Sequence, residues 1–129
     1  LHDVGLLFVS NTLLAKIPYL NRSEKAMYKR HAAAGGNMIE NIPCCQDIIP
    51  YIVYHHERWD GSGFPKHLRG ANIPLGARII AVADYYDTII NPSTEFWAKT
   101  KTQAVRELFS ASGLLFDPEI VKAFIETLG

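Results

Sequence analysis

Apolar positions recur along the chain at helical spacing. No run alternates apolar and polar residues with the period of two expected of a half-buried strand. Ser23 is a candidate N-cap, and Ala26, Met27, Arg30, Ala33 and Ala34 follow on a helix that reaches about Asn41, before Pro43. Gly35 and Gly36 inside it each cost about 1 kcal/mol relative to alanine, and they permit a close backbone approach. Gln46 to about Glu57 predicts a second helix, with Pro50 tolerated in its first turn. Asp60-Gly61-Ser62-Gly63-Phe64-Pro65 is turn chemistry throughout and predicts a loop. Pro74 or Leu75 opens a third helix. Leu75, Ala77, Ile79, Ile80, Val82, Ala83 and Tyr86 leave it almost no polar face, which predicts a central, buried helix ended by Asn91-Pro92-Ser93. Thr100 with Gln103 fits a capping box ahead of Ala104, Val105, Leu108 and Phe109. Asp117-Pro118 fits an N-cap followed by an N1 proline, ahead of Ile120, Val121, Phe124, Ile125 and Leu128. The fold class predicted is all-α, one compact helical bundle.

Composition narrows the class. At 129 residues, 48% hydrophobic and 20% charged, the chain can bury a core as one domain and is not a disordered tail. The longest apolar run, Ile48 to Tyr54, is far too short to span a bilayer. Thirteen basic and thirteen acidic side chains cancel, which argues against DNA or RNA binding through a basic face. A small phosphorylated ligand needs only local charge and stays open. Cys44 and Cys45 are adjacent and form no spaced disulfide framework. They read as helix-start packing in a reducing, cytoplasmic setting. The start lacks a basic stretch followed by an apolar one, so no signal peptide is expected. Leu1-His2-Asp3-Val4-Gly5 has no initiator Met and no cap. It reads as the end of a helix, so the chain is expected to be a fragment, residues 1–129 of a domain lacking its N-terminal helices.

Six side chains carry candidate chemistry: His2, Asp3, His31, His55, His56 and Asp84. A carboxylate inside the most apolar helix must be protonated, paired with a cation or bound to a metal. Arg78, six positions from Asp84, points elsewhere on that helix, and Asp87 adds negative charge. His55 and His56 would diverge by about 100° on a helix. Both can serve one site only if it is wide, as a centre of two metals about 3.5–4 Å apart is. His2-Asp3 is a second adjacent pair in which the carboxylate can bridge two ions. His31 lies mid-helix among alanines. Each signal is weak alone, and a satisfied core histidine or helix pairing remains open for each. Together they fall on different predicted helices or helix ends, as an interior di-metal site in a bundle requires. Imidazole with carboxylate suits zinc, iron, manganese or nickel without choosing among them.

The order of these residues resembles the HD domain superfamily of metal-dependent phosphohydrolases. More narrowly it is similar to the HD-GYP family, which hydrolyses cyclic di-GMP in bacteria. The resemblance rests on Leu1 to Gly5, His31 to Gly35, His55 to Pro65, Ile73 to Asp84 and Phe116 to Glu119. Gly63-Phe64-Pro65 stands where the family has Gly-Tyr-Pro. The resemblance implies an HD-domain fold with an interior site for two or three divalent ions, iron or manganese. His2, Asp3, His31, His55, His56 and Asp84 fall at the family's metal-ligand positions, with Asp3 as the catalytic bridge beside the attacking water. It further implies opening of cyclic di-GMP or a related cyclic dinucleotide to pGpG, with GMP as a further product in some members. It also implies docking of diguanylate cyclase domains at Gly63, Phe64 and Pro65. Upstream glutamate and histidine ligands of some members would precede Leu1, and sensory domains are frequent neighbours in the family.

The chain departs from the family pattern in places. Leu6 stands where the motif His-Asp-x-Gly-Lys has its lysine, and Ala32 replaces a proline. Arginines that contact ligand phosphates in members align with Ser93 and Phe96, so Lys99 and Lys101 are the candidate substitutes for substrate binding. Losing one electrostatic donor at a phosphate can cost about 2.7–4 kcal/mol in the transition state. These departures support an alternative, a catalytically impaired domain acting as a metal- or nucleotide-binding regulatory or protein-interaction module. A third possibility keeps the metals and changes the substrate. Trp59 and Trp97 read as packing anchors, and His67 as a solvated loop residue.

Overall fold

The computed structural model describes residues 1–92 and 98–129. Ser93, Phe96 and Trp97 lie outside the described residues. A 3-10 turn at Val4–Phe8 leads to α1 (Asn11–Leu14), α2 (Arg22–Ile39), a 3-10 segment at Pro43–Ile48 and α3 (Ile49–Tyr54). After a loop and a 3-10 turn at Gly70–Asn72 come α4 (Leu75–Ile90), α5 (Lys101–Ala111) and α6 (Pro118–Thr127). The all-α fold is as predicted. Among the described residues no strand pairs into a sheet, and one isolated bridge joins Ser112 and Phe116. Leu1 to Asp3 lead into the 3-10 turn at Val4–Phe8.

The caps explain where α2, α5 and α6 begin. Thr100 and Gln103 form the predicted capping box, and the Asp117 carboxylate accepts from Glu119 N–H ahead of Pro118. The cap of α2 is Asn21 rather than Ser23. Asn21 accepts from Glu24 N–H, and Glu24 reaches back to the Asn21 N–H, both at 2.9 Å. That reciprocal pair satisfies two orphan donors at once, which Ser23 cannot do with Ala26 three residues on. α2 stops at Ile39, two residues before the expected end. The predicted helix from Gln46 to Glu57 opens as a 3-10 turn at Pro43 and ends at Tyr54, with Pro50 in the first turn of its α-helical part. In that 3-10 segment Cys44 is exposed, which departs from the expected packing, and Cys45 is half-buried.

The core has two parts. Val82 and Tyr86 of α4 meet Ala104 and Leu108 of α5, Phe116, and Val121 of α6. Phe109, expected on this stripe, is instead 74% exposed. Arg78 Nη1 donates to the buried Asp117 carboxylate at 2.7 Å and ties α4 to the start of α6. The other part is an N-terminal layer in which α2 packs on the Val4–Phe8 turn and on α3. The buried face of α2 is His31, Ala32, Gly35, Gly36 and Ile39, while Ala26, Met27 and Arg30 face outward. Gly5 decides this packing. A Cβ there would stand 1.9 Å from the His31 carbonyl oxygen and 2.6 Å from the Gly35 nitrogen. Backbone therefore touches backbone, which sets His2 and Asp3 beside His31.

α4 is not apolar-buried on all sides. Leu75 and Ile79 are 54% and 47% exposed, and only Ala77, Val82 and Tyr86 are fully buried. Asp84 keeps 35% of its side chain exposed, so it lies at the edge of the core rather than inside it.

Candidate metal centre

Four stretches of chain converge at one place. His2 and Asp3 sit in the turn before Val4–Phe8, His31 on the buried face of α2, His55 and His56 just past α3, and Asp84 on the inward side of α4. The helix ends at Tyr54, and the two adjacent histidines follow in the turn that leaves it. His55 is the C-cap, and the two rings lie 4.0 Å apart at 42°.

Asp3 is the hub. Its Oδ1 lies 3.4 Å from His31 Nε2 and 3.5 Å from His55 Nε2, and its Oδ2 lies 3.4 Å from His2 Nε2. His2 Nε2 in turn meets Asp84 Oδ1 at 3.1 Å, and His56 Nε2 meets His31 Nε2 at 3.1 Å. Two donor groups result: Asp3, His31, His55 and His56, and His2, Asp3 and Asp84. In each, one ligand atom per residue lies within 4.8 Å of the others. Asp3 belongs to both, as a carboxylate bridging two ions must.

Protonation matches ligation. His31 Nδ1 donates to the Tyr28 carbonyl and His55 Nδ1 to the Ile52 carbonyl, both at 2.6 Å. A proton held at Nδ1 leaves the Nε2 lone pair facing the cluster, the arrangement of a metal-binding imidazole. His55 Nε2 and Asp3 Oδ1 are buried, and neither has a hydrogen-bond partner among the described residues. Two acceptors left facing each other in the interior are costly, and a divalent cation between them would remove the cost. Burial pushes the His56 imidazole down to about 3, helped by the neighbouring His55 and His31 and opposed by Asp3. Burial works against ionisation of Asp3. Where the facing histidines carry a proton instead, their contacts and charge outweigh burial and hold the carboxyl well below the usual range. Neutral imidazoles and an ionised carboxylate are the forms that bind metal. The residues therefore fit a centre for divalent ions.

A groove of about 290 Å³ opens beside the centre, lined in part by Tyr28, His56, Arg58, Asp84 and Tyr85. The loop of residues 60–65 is only partly exposed. Gly63 is buried, and a Cβ there would stand 2.4 Å from the Arg58 nitrogen. Phe64 stacks on His56, with centroids 4.7 Å apart and planes at 22°. Only Pro65 of the three is exposed. His67 is exposed as predicted, and Trp59 is half-buried with Arg78 over its ring at 6.0 Å. Glu57 went unassigned in the sequence reading. It is 3% exposed, and its carboxylate accepts from Lys66 N–H at 2.6 Å and Leu68 N–H at 3.1 Å. The signal was present: a carboxylate just before a turn-rich stretch is an acceptor for amides with no ladder partner.

Lys99 and Lys101 are not brought to the cluster. Lys99 Nζ donates to Glu107, and Lys101 Nζ to the Leu128 carbonyl. Leu6 is half-buried in the 3-10 turn and shares a shallow surface groove with Asp3. No helix among the described residues is long and apolar enough to cross a membrane.

Comparison with known proteins agrees with this geometry. A family model described as HD domain matches residues 1–120. A cyclic di-GMP phosphodiesterase of Thermotoga maritima is 36% identical over 128 residues, covering 98% of this chain and 35% of that protein. A cyclic di-GMP phosphodiesterase response regulator of Xanthomonas campestris is 37% identical over 97% of this chain and 34% of its own length. The chain thus spans about a third of these curated relatives. A crystal structure of a cyclic GMP-AMP specific phosphodiesterase from Vibrio cholerae matches with a TM-score of 0.72. It does so at 21% identity, over 88% of this chain and 26% of that one, so the fold is shared. The phosphohydrolases of this fold are metal-dependent, in keeping with the His and Asp cluster. On its matched length and on its relatives, the chain belongs to the HD domain family, and within it to the HD-GYP type.

Proposed function

We propose that this chain is a metal-dependent phosphodiesterase domain that opens cyclic dinucleotides, cyclic di-GMP first among them, to the linear product pGpG. The observation that carries the reading is the pair of donor groups sharing Asp3, with buried acceptors left unpartnered between them. Relatives named for cyclic di-GMP and 3'3'-cGAMP support the substrate class. His31, His55 and His56 with Asp3 would hold one ion, and His2, Asp3 and Asp84 a second; iron or manganese is the metal proposed. Such ions supply an activated water and positive charge for the phosphoryl oxygens. The chain's own part is to hold His31 and His55 in the ligand tautomer and to place Asp3 between the two donor groups. Arg58 and Tyr28 offer polar atoms along the groove where a dinucleotide would lie. The exposed tip of the loop at Pro65 is the surface we assign to contact with diguanylate cyclase domains.

A second reading is a domain that binds nucleotide without turnover. It is favoured by Leu6 at the position of the family lysine and by the engagement of Lys99 and Lys101 elsewhere. The test is chromatography of cyclic di-GMP incubated with anaerobically prepared protein loaded with Mn(II) or Fe(II), beside Asp3→Ala. Linear product from the wild type alone supports the enzyme. Binding of the nucleotide without product, with metal confirmed, supports the second reading.

A further inference from the structure

The ligand histidines are not held alike. His31 and His55 are each locked by an Nδ1 hydrogen bond to a carbonyl three residues back. The His56 ring has no such bond, and among the described residues its one side-chain hydrogen-bond contact is through Nε2, toward His31. Metal-binding imidazoles are ordinarily oriented by a partner at the other ring nitrogen. Something else must fix this ring.

The Phe64 ring lies nearly parallel to it at 4.7 Å. Phe64 is itself firmly placed. Its N–H donates to the His56 carbonyl at 3.2 Å, and the preceding Gly63 fits where no Cβ would. Beyond it, Glu57 clamps the amides of Lys66 and Leu68, and from α2 the Lys29 ammonium sits 4.9 Å over the Phe64 ring. We infer that Phe64 is a positioning residue for the metal centre, its ring taking the place of the missing Nδ1 partner and orienting His56 for ligation. The flat stack restricts the tilt of the imidazole and leaves Nε2 aimed at the donor group. The inference rests on the metal-centre reading, and its test separates the two.

Mn(II) binding is measured by isothermal titration on the wild type, Phe64→Leu, Phe64→Tyr, His56→Ala and the double variant His56→Ala with Phe64→Leu. Circular dichroism monitors helix content. Leucine preserves apolar bulk but cannot stack, whereas tyrosine keeps the ring. Phe64→Leu is expected to keep its helices and to bind the His56-dependent ion about 10–100-fold more weakly, the range for loss of a ligand's orienting partner. Phe64→Tyr should bind like the wild type. In the His56→Ala background, Phe64→Leu should have no further effect, because its role passes through that imidazole. Wild-type-like binding by Phe64→Leu, additive losses in the double variant, or loss of helix in Phe64→Leu would each overturn the inference alone. Absence of Mn(II) binding by the wild type would overturn the metal-centre reading together with it.

Discussion

Asp3 Oδ1 and His55 Nε2 face each other at 3.5 Å, both buried and both without a hydrogen-bond partner among the described residues. Fifty-two positions apart in sequence, they are two acceptors that repel unless a cation lies between them. The first prediction follows from this relation. Mn(II) or Fe(II) should raise the melting temperature of the protein, and a chelator should reverse the shift. At free metal about 100-fold above Kd the gain is about 2.7 kcal/mol. Differential scanning calorimetry checks it, and an unchanged melting temperature at saturating metal would count against the centre.

Asp3 is common to both donor groups, whereas Asp84 belongs to one. Asp3→Ala should therefore abolish binding of both ions, and Asp84→Ala should remove one and leave the other. Metal stoichiometry by plasma mass spectrometry, after gel filtration, distinguishes the two. Equal losses in the two variants would contradict the shared bridge.

Gly5 lies against the backbone of α2, where a Cβ would stand 1.9 Å from the His31 carbonyl oxygen. Gly5→Ala should therefore push the Val4–Phe8 turn off α2. The cost is expected at about 1–3 kcal/mol or more, as for other overpacked sites. It should also weaken metal binding, because His2 and Asp3 ride on that turn. Urea unfolding with a parallel metal titration reads both effects.

The cap of α2 is Asn21, so Asn21→Ala should cost about 1 kcal/mol while Ser23→Ala stays within about 0.5 kcal/mol. Lys16, with the Asn21 N–H, holds the Glu24 carboxyl below its ordinary value of 4.5. A carboxyl lowered by folding stabilises above its unfolded value, and that contribution is lost as pH falls through the folded one. Acid unfolding of Glu24→Gln should accordingly be less steep below about pH 4.5 than that of the wild type. Chemical denaturation at neutral and acid pH measures both effects.

Much of this protein is written locally. Helical periodicity, the Thr100 and Asp117 caps, the turn at Asp60 to Pro65 and the six ligand-competent residues all depend on neighbours a few positions away, and they are legible without a fold. The resemblance of the motif from His55 to Pro65 then named the family. What the sequence left open depends on contacts between distant segments. Ser23 and Asn21 are both acceptable caps until the reach of Glu24 is seen. Asp84 looked buried because apolar neighbours surround it in sequence, yet packing turned that side of α4 toward a groove. His55 and His56 would diverge on a helix, yet just past the end of α3 their rings lie 4.0 Å apart at one site. The Phe64 stack on His56 and the Glu57 clamp likewise exist only once the loop folds back on α3. Periodicity and capping are properties of a single turn of chain, so residue order determines them. The approach of Asp3 to His31 and His55 within 3.5 Å is a property of close packing at Gly5 and Gly35, and tertiary structure alone decides it.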